Sequence, residues 1–267
     1  LYQFYRFLLD KLGCSYTLIH DDLSGDFAHN PEPLPAHLTD LSAAVKEQGA
    51  DIGIAVDPDV DRLAFVSEDG SVFGEEYTLV AVADFILSKT PGNTVSNLSS
   101  TRALSDVTKK YGKSYHASAV GEVNVVNKMK EVDAVIGGEG NGGVIYPALH
   151  YGRDALVGIA FVLNLLADND TTLSEQRKSY KDYQIRKHKI QLSENMDLDK
   201  IFVSLQDKYK QEELNLVDGL KIDMENGWVH LRKSNTEPIL RVYSESTSAE
   251  QADSLAEMII NDVKNLC

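Results

Sequence analysis

The sequence predicts an α/β protein: part of one mixed α/β sheet domain and all of a second, followed by a small α+β domain with an antiparallel sheet. Three observations lead there. From residue 2 to about residue 140, apolar runs of strand length alternate with runs of helix length, the rhythm of sheets flanked by helices. From Ile185 onward, strand-length runs follow one another across short loops, which suits an antiparallel sheet. The 267 residues also exceed one typical domain and suggest two or three. The expected divisions fall at residues 1–70, 71–180 and 181–267.

Taken in order, residues 2–12 carry apolar side chains at helical spacing and Gly13 ends that helix. Cys14 to Ile19 reads as a buried strand, Asp21 to Pro35 as a polar, Pro-rich loop, and Leu38 to Gln48 as a helix feeding a strand at Asp51. This strand–helix–strand order points to a parallel pair. In the second domain, Glu75 to Ser88 is a long apolar helix, then Thr94–Leu98 a strand, Thr101–Tyr111 a helix and Ser114–Ser118 a strand. Val123–Lys130 is helical, Ala134–Gly137 a short strand, and Ala155–Ala167 an apolar helix with Asp154 as its cap or first-turn acid. The polar stretch that follows, to Tyr183, has a second half suited to a helix leading into a linker. In the last domain, strands are expected at His188–Leu192, Leu216–Ile222, Trp228–Arg232 and Ile239–Ser244. Helices are expected at Leu198–Tyr209 and Ala249–Leu266.

Composition bounds the partners. The formal net charge is −15, from 41 acidic against 26 basic residues. Such a surface repels nucleic-acid phosphates and anionic membranes, so neither is an expected partner. An anionic ligand can still bind where arginines and backbone N–H groups cluster. The two cysteines, Cys14 and Cys267, have no metal-binding spacing and form no framework, and no apolar run reaches membrane-spanning length. A reducing, cytoplasmic setting is the expectation.

The chemistry concentrates in three loops. In the first, the alternating run Ile52, Ile54, Val56 leads into Asp57, Asp59 and Asp61, with Arg62 directly behind and a second apolar run, Leu63–Val66, after it. Two strands joined by so short a loop hold three carboxylates within a few ångströms. Their repulsion is relieved by a hard divalent cation with oxygen ligands, Mg²⁺ where phosphate chemistry is near. An EF-hand is excluded: Glu68 falls at the twelfth position, but the sixth carries Arg62 where Gly is needed, and the flanks are strands. On these residues alone, a solvated acidic turn remains the other reading.

The second loop, GGEGNGGVIYP from Gly137 to Pro147, contains G-x-G-x-x-G at Gly138, Gly140 and Gly143. A dinucleotide fingerprint must open a helix, whereas this one opens Val144-Ile145-Tyr146-Pro147. Glu139 and Asn141 offer hydroxyl-binding groups among glycines that permit close approach. The third loop, RKSNTEPILR, lies between two expected strands. Ser234, Asn235 and Thr236 supply small polar side chains and N–H groups, and Arg232 and Arg241 add guanidinium forks suited to phosphate. Judged by itself, an anion site and a Ser/Asn-rich hairpin turn are equally good readings of it.

Together the three loops resemble those of the phosphohexomutases, the phosphoglucomutase/phosphomannomutase/phosphoglucosamine mutase family. Asp57, Asp59, Asp61 and Arg62 match the metal pattern D-G-D-G-D-R without its glycines. Glu139 and Gly142 match the sugar-loop pattern G-E-x-S-G-H, with Asn141 and Gly143 where Ser and His are common. Arg232 to Arg241 matches every fixed position of R-x-S-x-T-E-P-x-x-R. Val120-Gly121-Glu122 matches a V-G-x element whose third position is implicated in acid/base transfer.

The resemblance implies Mg²⁺ at Asp57, Asp59 and Asp61, and catalytic roles for Arg62 and Glu122. It implies substrate contacts from Glu139, Asn141, Arg232, Ser234, Asn235, Thr236 and Arg241. The implied ligands are a hexose phosphate and a hexose 1,6-bisphosphate, the activity being phosphoryl transfer between the 1- and 6-positions through a phosphoserine. Ala28-His29-Asn30-Pro31 resembles the end of the family's serine loop, but Ala28 has no hydroxyl, so His29 is expected to be a plain loop residue. The expectation is therefore a C-terminal piece of a larger four-domain mutase, lacking the phosphoserine domain and unable to turn over by itself. Asn141 hints at an amino sugar. A non-catalytic metal- and sugar-phosphate-binding module is the alternative.

Overall fold

The structure is a computed structural model and describes residues 2–22, 24–192, 196–234 and 236–266. The chain packs as two compact units, Leu1–Ala117 with Gly121–Lys181 and Ser118–Val120 with Asp182–Cys267.

The first unit opens with α1 (Tyr2–Lys11) and, after a long loop, α2 (Thr39–Gln48). An antiparallel hairpin follows, β1 (Ile52–Val56) and β2 (Leu63–Ser67), with Val56 opposite Leu63 at the closed end. α2 packs on it through Leu38, Val45, Ala64 and Val66. A Cβ on Gly53 would lie 2.7 Å from Val45, so the strand carries Gly where the helix comes closest. Next come α3 (Glu75–Lys89), β3 (Asn93–Asn97), α4 (Ala103–Lys110), β4 (Tyr115–Ser118) and α5 (Glu122–Glu131). β5 (Ala134–Glu139), β6 (Gly143–Ile145), α6 (Ala155–Asn169) and α7 (Leu173–Lys178) complete the unit. The sheet order is β4-β3-β5-β6, mixed, with β3 and β5 parallel and β5 and β6 antiparallel.

α3 is apolar on nearly every side because it lies between α4, α6 and β5. Its one buried charge, Asp84, accepts hydrogen bonds from Lys110, Tyr111 and Tyr180, which keeps a carboxylate tolerable there. α6 is capped by Asp154, which accepts from the Val157 N–H, and α7 opens on a Thr172/Glu175 capping box.

The second unit is a five-stranded antiparallel sheet in the order β7-β11-β10-β9-β8. Its strands are β7 (Gln184–Gln191), β8 (Glu213–Asn215), β9 (Leu220–Met224), β10 (Gly227–Lys233) and β11 (Ile239–Ser246). α8 (Leu198–Lys208) and α9 (Ala249–Asn265) cover one face. Period-two alternation sends Val229, Leu231, Leu240 and Val242 into the core beneath them, with Ile201, Leu205, Ile259 and Val263 from the helices.

The fold class is as the sequence predicts, with two local corrections. Cys14–Ile19 is not a strand: it has no ladder partner and is largely exposed. An apolar run becomes a strand only beside another, and β1 pairs with β2 alone among the described residues. The parallel pair expected there is therefore replaced by the β1–β2 hairpin. The strand expected at Leu216–Ile222 begins only at Leu220, as β9: residues 216–219 form a turn after β8, with Gly219 at φ 76°. Among the described residues no helix is long and apolar enough to cross a membrane.

Candidate active site

The loop between β1 and β2 organises itself around Asp57. Its Oδ1 accepts from the backbone N–H groups of Asp61 and Arg62, each at 3.0 Å, and its Oδ2 accepts from Arg62 Nε at 2.7 Å. Burial acts to raise its pKa, but the hydrogen bonds from Arg62 and Asp61 outweigh it and hold the carboxyl below its ordinary range. Val60 sits at φ 60°, a left-handed conformation that a β-branched residue adopts only when its surroundings impose it. Two backbone bonds impose it: Val60 N–H to Asp57 O at 3.0 Å, and Ala155 N–H to Val60 O at 3.1 Å. That turn brings one carboxylate oxygen each from Asp57, Asp59 and Asp61 within 4.8 Å of one another.

Asp61 is the unsatisfied member. Its Oδ1 is buried and accepts no hydrogen bond, with Arg62 Nε 3.7 Å away. Burial and the neighbouring Asp57 push its pKa up to about 6 against the pull of Arg153. Three converging carboxylates with one orphaned oxygen fit a small oxygen-seeking cation.

The Gly137–Pro147 loop meets this one directly. Leu63 N–H donates to Gly142 O at 3.1 Å, and Arg62 and Gly143 form a β-bridge. Gly142 takes φ 89°, and a Cβ there would lie 2.3 Å from Leu63 O. Glu139, buried at the end of β5, accepts from Asn97 Nδ2 at 2.9 Å and Gly121 N–H at 3.2 Å. Asn141 accepts from Gly143 N–H at 3.2 Å, so its oxygen shapes the loop. Glu122 begins α5.

One residue joins these parts. Arg153 donates from Nε to Glu122 at 2.9 Å and from Nη1 to Glu139 at 3.1 Å, and its Nη2 pairs with Asp61. From the sequence Arg153 is a minor candidate for reaching a ligand, and nothing there points to these three partners. The available signal is an arginine between a glycine and the Asp154 cap, in an acidic protein. Glu32 was likewise missed: it accepts from Arg62 Nη1 at 2.9 Å and so sets the far end of that guanidinium. His29 lies in the same exposed loop as Glu32, its Nδ1 2.7 Å from Asn30 O.

In the second unit, the loop between β10 and β11 curls around Ser234. Its Oγ accepts from Thr236 N–H at 3.4 Å, Glu237 N–H at 3.3 Å and Arg241 Nη2 at 3.5 Å. Arg232 and Arg241 stand opposite each other across the strands, and Arg241 stands opposite Lys189. A row of like charges is unfavourable without counter-ions. Asp218 lies 3.7 Å from Arg232, and Glu237 3.1 Å from Arg241. Asn235 lies outside the described residues.

The comparisons with known proteins follow this division into loops. Three profiles of one family match in succession: phosphoglucomutase/phosphomannomutase alpha/beta/alpha domain II over residues 2–70, alpha/beta/alpha domain III over 74–183, and the C-terminal domain over 189–262. The chain belongs to the phosphoglucomutase/phosphomannomutase family. A phosphoglucomutase/phosphomannomutase of Thermococcus kodakarensis is 33% identical over 94% of this chain and 56% of its own length. A probable phosphoglucosamine mutase of Methanopyrus kandleri is 30% identical over 96% of this chain and 58% of its own. The crystal structure of a phosphoglucomutase/phosphomannomutase family protein from Burkholderia thailandensis superposes with a TM-score of 0.86 at 28% identity, covering 98% of this chain and 57% of that one. The chain thus spans a little over half the length of the relatives it matches. Within the phosphoglucomutase/phosphomannomutase framework, the carboxylate loop falls in domain II, Glu122, Glu139 and Arg153 in domain III, and the Ser234 loop in the C-terminal domain.

Proposed function

We propose that this chain is the metal-, sugar- and phosphate-binding portion of a phosphohexomutase, working in the cytoplasm on hexose phosphates. The observation that carries the reading is the orphaned Asp61 oxygen among three converging carboxylates, placed by Arg153 beside Glu139 and Glu122. With it go proposed domain boundaries near residues 70 and 180, supported by the three profiles matched at 2–70, 74–183 and 189–262.

On this reading Asp57, Asp59 and Asp61 hold Mg²⁺, which when bound offsets the negative charge of the phosphoryl group being transferred. Arg62, held by Asp57 and Glu32, adds a fixed positive charge beside it. Glu139 and Asn141 receive sugar hydroxyls, and Glu122 takes the proton from the attacking hydroxyl. Arg232, Ser234, Asn235, Thr236 and Arg241 hold the phosphate that does not react. The phosphoryl donor is a phosphoserine. It passes its group to the free hydroxyl of a hexose 1- or 6-phosphate, giving a 1,6-bisphosphate. The serine then recovers the other phosphate, so atoms and charge balance over the cycle. That serine is not among these 267 residues, since His29-Asn30-Pro31 follows Ala28.

The experiment is ³¹P NMR of this chain with Mg²⁺ and glucose 1-phosphate, glucose 6-phosphate, mannose 6-phosphate or glucosamine 6-phosphate. Line broadening without interconversion is expected for at least one of them. Interconversion by the chain alone overturns the serine assignment, and the absence of any perturbation overturns the sugar-phosphate reading.

A further inference from the structure

We propose that Arg153 is a positioning residue that couples metal loading to the sugar loop. The inference rests on the metal reading above and goes beyond it, because Arg153 itself holds neither metal nor phosphate in that reading.

Three carboxylates from three separate segments share its guanidinium: Asp61 from the β1–β2 loop, Glu122 from the start of α5 and Glu139 from the end of β5. The side chain is only 18% exposed, so water cannot replace it cheaply. Its backbone is fixed as well, through a bridge to Ile145, and its Cδ fills the space above Gly143, where a Cβ would come within 2.4 Å. Arg153 therefore lies against the sugar loop along its whole length while its tip reaches a metal ligand.

Two opposing consequences follow. A fixed positive charge beside Asp61 repels a divalent cation, so Arg153 weakens metal binding. The same charge holds Glu139 and Glu122 where the sugar must meet them, so Arg153 tightens the loop. A cation drawn to Asp61 shifts the sharing of the guanidinium toward Glu122 and Glu139, and the sugar loop is held more firmly when the metal is present. Only an arginine serves, since three acceptors in different directions need its planar fork.

The test compares the chain with R153Q and R153K by two measurements. Calorimetric Mg²⁺ titration is expected to show binding roughly three- to tenfold tighter in R153Q, and unchanged within about twofold in R153K, which keeps the charge. Hydrogen exchange of amides 138–145 without metal is expected to accelerate roughly tenfold or more in both variants. A purely structural arginine would leave metal affinity equal or weaker in R153Q, and that result overturns the inference, as does unchanged exchange in the loop. If the unmodified chain binds no Mg²⁺, the metal reading fails, and the exchange measurement alone decides whether Arg153 holds the sugar loop.

Discussion

Asp57 and Arg62 close a ring within one loop: the Arg62 side chain donates to one oxygen of Asp57 at 2.7 Å while the Arg62 backbone donates to the other at 3.0 Å. Asp57 is thus committed to shaping the loop, whereas the exposed Asp59 has no comparable structural task. The two carboxylates should therefore separate under substitution. D57N is expected to destabilise the first unit by about 3 kcal/mol, through charge-assisted bonds lost at a buried site, and to abolish Mg²⁺ binding. D59N is expected to leave stability within about 0.5 kcal/mol and weaken Mg²⁺ roughly tenfold or more. Urea unfolding and calorimetry on both variants check this. Equal stability losses would mean that the Asp57 ring carries no weight.

Gly142 ties the two loops of the first unit together. Alanine there must adopt φ 89° and place its Cβ 2.3 Å from Leu63 O, so the loop has to move away from β2. G142A is expected to cost roughly 2–4 kcal/mol and to weaken Mg²⁺ binding without touching a ligand. G152A, in the loop before α6, meets the His150 ring at 3.0 Å and Glu122 at an ordinary 3.9 Å, and serves as the milder control. Thermal unfolding of both variants in the presence and absence of Mg²⁺ gives the comparison.

His230 supplies a pH dependence in the second unit. It is buried in β10, its Nε2 2.6 Å from Asp218 O, and burial lowers its pKa from 6.5 to about 4. The folded state therefore keeps it neutral down to about pH 4, whereas the unfolded chain takes up a proton below 6.5. Protons favour unfolding in that window, so this contribution is complete above pH 6.5 and lost as pH falls through 4. The loss is on the order of 3 kcal/mol. Unfolding curves at pH 7, 5.5 and 4.5 should show a steeper decline for the unmodified chain than for H230Q. Parallel declines would place the acid sensitivity elsewhere.

How much of this was legible in the sequence depended on how locally each feature is made. Asp57, Asp59, Asp61 and Arg62 could be read because spacing alone puts them in one turn between two strands. The Ser234 loop could be read for the same reason, its donors lying on one hairpin. Arg153 stood out only as a minor ligand candidate; its three partners could not be read, because they lie in segments that only tertiary packing assembles. Cys14–Ile19 misled because strand identity belongs to a pair, and hydrophobicity reports only one member of it. The late start of β9 turned on Gly219, a left-handed residue that makes a turn where the sequence suggested a strand. Asn141 showed what composition cannot: its oxygen faces the Gly143 N–H, a choice made by loop geometry.

The loop from Arg232 to Arg241 should bind phosphate within the second unit. Its donors come from one hairpin, and the opposed Arg232 and Arg241 with Lys189 beside them form a positive row that a dianion would relieve. Each charge-assisted bond is worth about 1.5–3 kcal/mol, most of it offset by desolvation and lost ligand freedom. A net affinity near millimolar, about 4 kcal/mol, is the expectation. Glu237 now occupies Arg241 at 3.1 Å and must compete with the ligand. The two substitutions therefore have opposite signs. R241K keeps the charge but loses the fork and should weaken phosphate roughly tenfold, whereas E237Q frees the guanidinium and should tighten it roughly threefold. Amide shifts in a phosphate titration followed by NMR supply both the site and the constants, with the largest changes expected at Ser234, Thr236 and Glu237. Strongest shifts outside this loop, or the same direction for both variants, would remove the phosphate assignment.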